Sequence, residues 1–349
     1  MASGRAARLL KILALLHLRH EWMGSPNDST EFINGTLCPT SFLVLVATLP
    51  QMPSSAPSSL GFVKPEILTL VPEPPSGDGW IHEIKHDGYR TLIVIDNDRV
   101  RAFSRHGRDW TGPYNRVVDA CAKLRCKAAL IDGEMIVQDE NGISDFDALR
   151  SAIYKARHRL VLFALDLLHL DAKDLRRTPL LERRAALRKL IKQDPCSPIQ
   201  FSDHLEGDGA KFFKAAVELE LEGIVSKRAS CLYRPGRSRN WLKTKNMVES
   251  EFLLVGTDID DSGVPLALLA RERNGELEFA GPAILRPPSH ARAEWSEKFA
   301  KMAIDRPALK GLRRANKAQW LKPEVRVRAQ HLKAKGTLRH VTVKALLPD

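Results

Sequence analysis

The sequence predicts an α+β chain, a domain of mixed and antiparallel sheets followed by a small all-β domain. Two observations carry that division. From residue 61 to about 246, strand-like and helix-like runs mix without the strict alternation of a parallel α/β sheet. After Ser250 the texture changes to short strand-like runs interrupted by one helical pattern. Composition agrees: 28% charged and 44% hydrophobic residues in a chain of 349 fit a soluble globular protein long enough for two cores.

Residues 1–59 read differently. Arg5, Arg8 and Lys11 precede an apolar stretch at 12–18, and a second spans 42–49. Neither approaches the roughly 20 apolar residues of a membrane helix. His17, Arg19 and His20 break the first run, which argues against a signal peptide. Residues 50–59 are Pro/Ser-rich and read as a linker. The segment is therefore expected to be a poorly ordered extension, with Met52 a candidate true start of the chain. Five scattered cysteines (Cys38, Cys121, Cys126, Cys196, Cys231) form no Cys-x-x-Cys pair, so neither a disulfide framework nor a zinc site is supported. A reduced, cytoplasmic monomer without membrane contact is the expectation.

Within the first domain, 60–248, strands are expected at 80–85, 91–95, 99–104, 129–138, 160–168 and 222–227. Helices are expected at 114–124, 146–157, 181–191 and 210–220. The Asp87-Gly88 step between two strand-like runs suggests a hairpin or tight turn. In the second domain, 249–349, five strands (252–257, 266–271, 277–281, 325–331, 338–345) and one helix (291–302) fit a small barrel of the OB type. The formal net charge is +12, and residues 306–344 hold twelve Lys/Arg against a single acid, Glu324. Such a stretch suits an acidic partner such as nucleic acid, although a solvated basic face would look the same.

The chemistry concentrates in a few stretches. In Glu83-Ile84-Lys85-His86-Asp87-Gly88-Tyr89-Arg90, strand alternation puts Glu83 and Lys85 on one face, and Asp87-Gly88 lets the chain turn beside them. Nearby cations or a metal would favour the neutral, nucleophilic form of such a lysine. Alone, the pattern reads more readily as a surface hairpin with a solvated lysine. Asp132-Gly133-Glu134 sits inside an apolar strand, where an acid is costly without a ligand, metal or partner charge. Phe163 and Asp166 follow in another apolar run, and Glu222 opens Gly223-Ile224-Val225-Ser226-Lys227. Trp241-Leu242-Lys243-Thr244-Lys245 places two lysines on one strand face, a clamp for phosphate oxygens or a solvated edge.

Taken in order, these stretches resemble the motifs of the ATP-dependent DNA ligases in the nucleotidyltransferase superfamily. They are most similar to bacterial ligases and ligase domains associated with end joining. Lys85-His86-Asp87-Gly88-Tyr89-Arg90 resembles the first motif, whose lysine is adenylylated, and Ser104-Arg105-His106-Gly107 the element after it. Asp132-Gly133-Glu134 resembles the third motif, Glu222-Gly223-Ile224-Val225 the fourth, and the Trp241 to Lys245 stretch the fifth. Leu338-Arg339-His340 looks like the start of a sixth, but its usual second basic cluster is replaced by Leu346-Leu347-Pro348-Asp349.

The resemblance implies an adenylation domain followed by an OB domain that rotates over the nucleotide and then against DNA. It implies ATP as cofactor, with Mg²⁺ or Mn²⁺ held by Glu222 with help from Glu134. Lys85 is implied as the catalytic nucleophile. Phe163 is implied to stack on adenine, with Glu83 near the adenine edge and Ile84 among the nucleotide-binding residues. Arg90 and Glu134 are implied at the ribose; Arg105, Arg237, Lys243 and Lys245 around the phosphates; and Arg339 at the leaving pyrophosphate. The implied partners are nicked or broken duplex DNA and, as a candidate, a ring-shaped DNA-end-binding protein. An RNA ligase or RNA-capping guanylyltransferase shares the lysine motif, and a non-catalytic DNA-binding module could share the fold. Labelled ATP and GTP separate these readings by the adduct formed.

Overall fold

The computed structural model describes residues 60–191, 194, 196–309, 318–333 and 338–348. The N-terminal extension, Met52, Cys38 and the basic residues Arg313, Arg314 and Lys317 lie outside the described residues.

Along the chain come β1 (Glu66–Leu70), β2 (Trp80–Ile84), β3 (Tyr89–Asp96), β4 (Arg99–Ser104), α1 (Asn115–Cys121) and β5 (Ala128–Ile136). Next are α2 (Phe146–Lys155), β6 (Val161–Leu170), β7 (Lys173–Asp174), α3 (Leu180–Leu190), β8 (Ile199–Phe201), β9 (His204–Glu206) and α4 (Gly209–Glu218). Then follow β10 (Gly223–Arg228), β11 (Gly236–Lys245), β12 (Met247–Ile259), β13 (Pro265–Arg273) and β14 (Glu276–Leu285). The last elements are α5 (Arg292–Lys301), β15 (Ala303–Ile304), β16 (Gln319–Leu332) and β17 (Thr342–Leu346). Helix starts are fixed locally: Asp145 accepts from Ala148 N at the head of α2, and Asp208 accepts from Ala210 N and Lys211 N at the head of α4.

The described residues divide into two compact units. The first comprises Gly88–Arg177 and Glu182–Phe201 with the residues before Glu66. Its sheet runs β4-β3-β5-β6-β7, with β8 parallel to β6. One face buries Ile93, Ile95, Ile131, Met135, Leu162 and Leu167 against Val117 of α1 and Leu149 and Ile153 of α2. Alternation along the strands sends Arg90, Leu92, Asp132 and Glu134 to the other face.

The second unit comprises Glu66–Asp87, Thr178–Leu181 and Ser202–Asp349. It holds two sheets. One runs β1-β11-β10-β2-β9. The other runs β12-β13-β14-β17-β16-β15, and a further β12–β16 pairing closes it. Strands β12, β13, β14, β16 and β17 thus form a five-stranded barrel with α5 between its third and fourth strands, and the third and fifth pair in parallel. That is the OB arrangement expected from the sequence. β11 ends at Lys245 and β12 begins at Met247, so the sheets change at Asn246; by compactness, the sheet of β1, β2 and β9–β11 groups with the barrel.

The expected hairpin at Asp87-Gly88 does not form. β2 pairs with β10 and β9, whereas β3 pairs with β4 and β5. Gly88 sits at a bend and serves close approach: a Cβ there would lie 2.1 Å from the carbonyl oxygen of Met135. The last expected strand is also shorter, because Leu338, Arg339 and His340 precede β17 in irregular backbone. Strands β1, β8 and β9 were not anticipated; each has five residues or fewer and little alternation.

Candidate active site

Three strand ends of the second unit build the site. β2 stops at Ile84, and the backbone N–H of Lys85 donates to the carbonyl of Gly223 at 3.0 Å. In register, Ile84 faces Ile224 on β10, and Gly223 faces Lys245 on β11. Gly223 has φ +148°, and a Cβ there would lie 2.1 Å from the carbonyl oxygen of Thr244. Glycine alone lets β10 start so close to β11, which brings Glu222 to the ends of both neighbouring strands.

Glu222 Oε2 lies 2.5 Å from Lys85 Nζ, and its Oε1 lies 3.4 Å from Lys245 Nζ. The Lys85 side chain keeps 16% of its exposure, against 5% for Glu222. Burial opposes the charge on Glu222, yet Lys85 and then Lys245 outweigh it and hold the carboxyl below its usual range. Burial pushes Lys245 down, with Lys85 adding to the effect and Glu222 opposing it. Two cations therefore share one carboxylate, an arrangement with surplus positive charge for an arriving anion.

Further groups surround this core. Arg339, from the connection between β16 and β17, forms an ion pair with Asp87. Burial and then Glu222 raise Asp87, while Arg339 opposes them. Burial also lowers His86, to about 4, and lowers His340, where Lys245 adds to the effect. Glu83 Oε1 meets Lys227 Nζ at 2.5 Å with both side chains 1% exposed, and Lys227 Nζ sits 4.1 Å from the Trp241 ring centroid. Ile84, half-buried, links this pair to Lys85. Lys243 lies on the same strand face as Lys245, opposite Val225.

Arg237 does not join the cluster. It is exposed near the other end of β11, eight residues before Lys245 on a strand that rises about 3.3 Å per residue.

In the first unit, Arg90, Glu134 and Phe163 stand in one row across β3, β5 and β6. The Arg90 guanidinium grips Asp132 through Nε at 2.5 Å and Nη2 at 2.7 Å. This is the partner charge that the buried acid required. Arg105 is exposed in the turn after β4, where Gly107 takes φ +80°.

Sequence reasoning assigned no role to Asp87, Lys227, His340 or Asp132. Asp87 and Asp132 were visible as acids inside quoted motifs, but their partners depend on strand register and on a distant connection.

No group of three or more His, Cys, Asp or Glu able to hold a metal occurs among the described residues. A carboxylate beside two lysines still fits Mg²⁺, which uses one or two carboxylates together with substrate phosphates and water. No described helix is long and apolar enough to cross a membrane.

Comparison with known proteins identifies the family. The ATP dependent DNA ligase domain model matches residues 68–245, just over half the chain and inclusive of Lys85, Glu222 and Lys245. The multifunctional non-homologous end joining protein LigD of Pseudomonas aeruginosa is 33% identical over 75% of this chain and 32% of its own length. The chain thus spans about a third of the LigD relatives it matches. The prophage-derived DNA ligase-like protein LigB of Bacillus subtilis is 30% identical over 62% of this chain and 80% of its own. A solved Lig E DNA ligase, 14% identical, shares the fold with a TM-score of 0.52 over 82% of this chain and 100% of that one. Because the matched domain spans the strands that carry the lysine cluster, the chain belongs to the ATP-dependent DNA ligase family.

Proposed function

We propose that the chain seals nicks and breaks in duplex DNA through an AMP carried on Lys85, in end-joining repair. The observation that carries this reading is Lys85 Nζ set on Glu222, with Lys245 on the other oxygen of the same carboxylate. In the first step the Lys85 amine forms an N–P bond to the α-phosphate of ATP, and the bond from that phosphorus to the bridging oxygen breaks to release pyrophosphate. The DNA 5′-phosphate then displaces Lys85 from AMP. Finally the 3′-hydroxyl attacks the activated 5′-phosphate, loses its proton and releases AMP. Each step is an in-line displacement, served mainly by positioning and charge neutralisation.

Lys85 must give up a proton before it attacks, and its amine is engaged by Glu222. Moving Glu222 off the amine is therefore part of the first step. Glu222 would hold a divalent cation, Mg²⁺ or Mn²⁺, which when bound would supply charge neutralisation at the phosphates. Lys245 and Lys243 bind the phosphate oxygens, and Arg339 exchanges Asp87 for the leaving pyrophosphate. Arg90 and Glu134 serve the ribose, Phe163 the adenine and Arg105 the phosphates, roles that rest on the family's motifs. For Glu83 the buried pair with Lys227 supports a role in holding the lysine strand beside the adenine edge.

The end-joining setting is supported by the LigD relatives, whose names include it. A ring-shaped DNA-end-binding protein is the partner that setting calls for. The test is incubation with ATP or GTP labelled at the α-phosphate, followed by a singly nicked duplex in all-DNA and RNA-containing forms. A covalent AMP adduct and sealing of the all-DNA nick are expected. A GMP adduct, no adduct, or sealing confined to RNA would overturn the reading.

A further inference from the structure

Helix α2 carries Asp147, Arg150, Ser151 and Tyr154 three and four residues apart, hence on one face. With Tyr89, Trp110 and Ile153 they line a solvent-open cleft of about 370 Å³ in the first unit. Its deeper walls are fixed by ring packing: Tyr89 meets Phe146 edge-on at 5.3 Å, and Trp110 stacks on Tyr114 at 5.5 Å. Its rim is Tyr154, whose 73% exposure is high for so large a ring. The cleft lies across the sheet from Arg90, Glu134 and Phe163, because Tyr89 packs with the helix-covered core and strand alternation sends Arg90 the other way.

The surroundings are basic. Beyond the cleft the chain runs Lys155, Arg157, His158 and Arg159, and Arg116 Nη1 donates to the carbonyl of His158 at 2.5 Å. Aromatic walls, a guanidinium at the mouth and basic ground nearby are the means by which proteins hold unpaired bases: the rings stack and the cations meet the backbone. Asp147 adds an acceptor for an exocyclic amine, and Ser151 a donor or acceptor for the base edge. An aliphatic ligand would leave both polar groups unused.

We infer that this cleft holds an unpaired nucleobase of a DNA strand, stacked against Tyr154 and Trp110, with Arg150 toward its phosphate. The inference rests on DNA as the substrate and extends it from duplex nicks to ends bearing single-stranded tails.

The test compares a blunt-ended nicked duplex with the same duplex carrying a tail of about eight deoxyadenosines. Fluorescence anisotropy would read the affinity of the full chain for each. The tail should tighten binding by the wild-type chain about tenfold, the order of one stacked base. Tyr154→Ala should lose that gain and Tyr154→Trp should keep it, with self-adenylylation and blunt-duplex binding unchanged in both. Tyr154 is exposed, so neither substitution removes core packing, and unchanged adenylylation checks the fold. Light-induced crosslinks from 5-iododeoxyuridine placed in the tail should map to Tyr154 or Trp110. A gain retained in Tyr154→Ala, as backbone charge alone would give, overturns the inference. So does the absence of any gain in the wild type, as expected if the cleft takes a protein side chain. Failure to bind the blunt nicked duplex would instead count against the DNA ligase reading itself.

Discussion

Two buried ion pairs, one in each unit, look alike as contacts and differ in what they can do. In the first unit Asp166 meets Arg183 through both carboxylate oxygens, at 2.9 and 2.7 Å, with both side chains fully buried. The guanidinium fork is matched to both carboxylate oxygens, and neither side chain is open to a ligand. In the second unit Glu222 is shared by Lys85 and Lys245, the contacts are single and of unequal length, and Lys85 remains partly exposed. A closed, balanced pair fixes a fold. An unbalanced pair with one reachable member is equipped for an anion and for chemistry.

The comparison can be broken by removing one acid from each pair. Asp166→Ala leaves the buried Arg183 charge without its carboxylate and should cost about 3–5 kcal/mol of stability. Denaturant unfolding reads that loss, and adduct formation per folded molecule should persist at low temperature. Unchanged stability would mean that the pair is not structural. Glu222→Gln should do the reverse. Adduct formation should fall by about 10²–10³-fold, on the scale of other preorganised charged groups, while the unfolding midpoint moves much less. A normal adduct rate in a destabilised protein would invert the assignment.

Acid sharpens the picture of the lysine cluster. Burial holds His86 down at about 4, below its ordinary value near 6.5. Between these values the unfolded chain binds the proton more readily than the folded one, so stability is full above about 6.5 and is lost as pH falls toward 4. Unfolding midpoints measured at pH 7 and pH 5 should differ in that direction, and His86→Asn should reduce the difference. An undiminished difference would place the acid sensitivity elsewhere. The smallest effect on the nucleotide step is expected from replacing Arg313, Arg314 and Lys317 together by Ala. DNA binding should weaken and its salt dependence flatten by up to about one log unit per lost phosphate contact, with self-adenylylation nearly unchanged. Equal loss of both activities would tie those residues to the nucleotide step or the fold.

How much of this was legible depended on the range over which residues meet. Lys85, Glu222 and Lys245 were readable because each sits in a short stretch with a chemical reason for its residue types. The barrel was readable from five short strands around one helix. The Asp87-Gly88 step was misread, since a turn dipeptide and a glycine admitting a neighbouring carbonyl look the same in sequence; only the Met135 contact separates them. Arg90 could be picked out from its motif, but its grip on Asp132 depends on the β3–β5 register, which no local pattern reveals. Arg237 lies on the same strand as Lys245 but far along it, a separation that no local pattern reveals. Asp87 and Arg339 meet from opposite ends of the described chain, a pairing that needs the barrel built first.

The proposal that Lys85 is the nucleophile of the unbalanced cluster is tested most directly by the Lys85→Arg variant. Arginine keeps the positive charge on Glu222 but offers no neutral amine, because guanidinium stays protonated and delocalised. The variant should fold, bind nicked DNA and form no covalent AMP adduct. It should still close, at least slowly, a nick supplied already adenylylated, since only the first two steps use the lysine. Peptide mapping of the wild-type adduct should place AMP on Lys85. An adduct on another lysine, or ordinary ATP-dependent sealing by Lys85→Arg, would contradict the account.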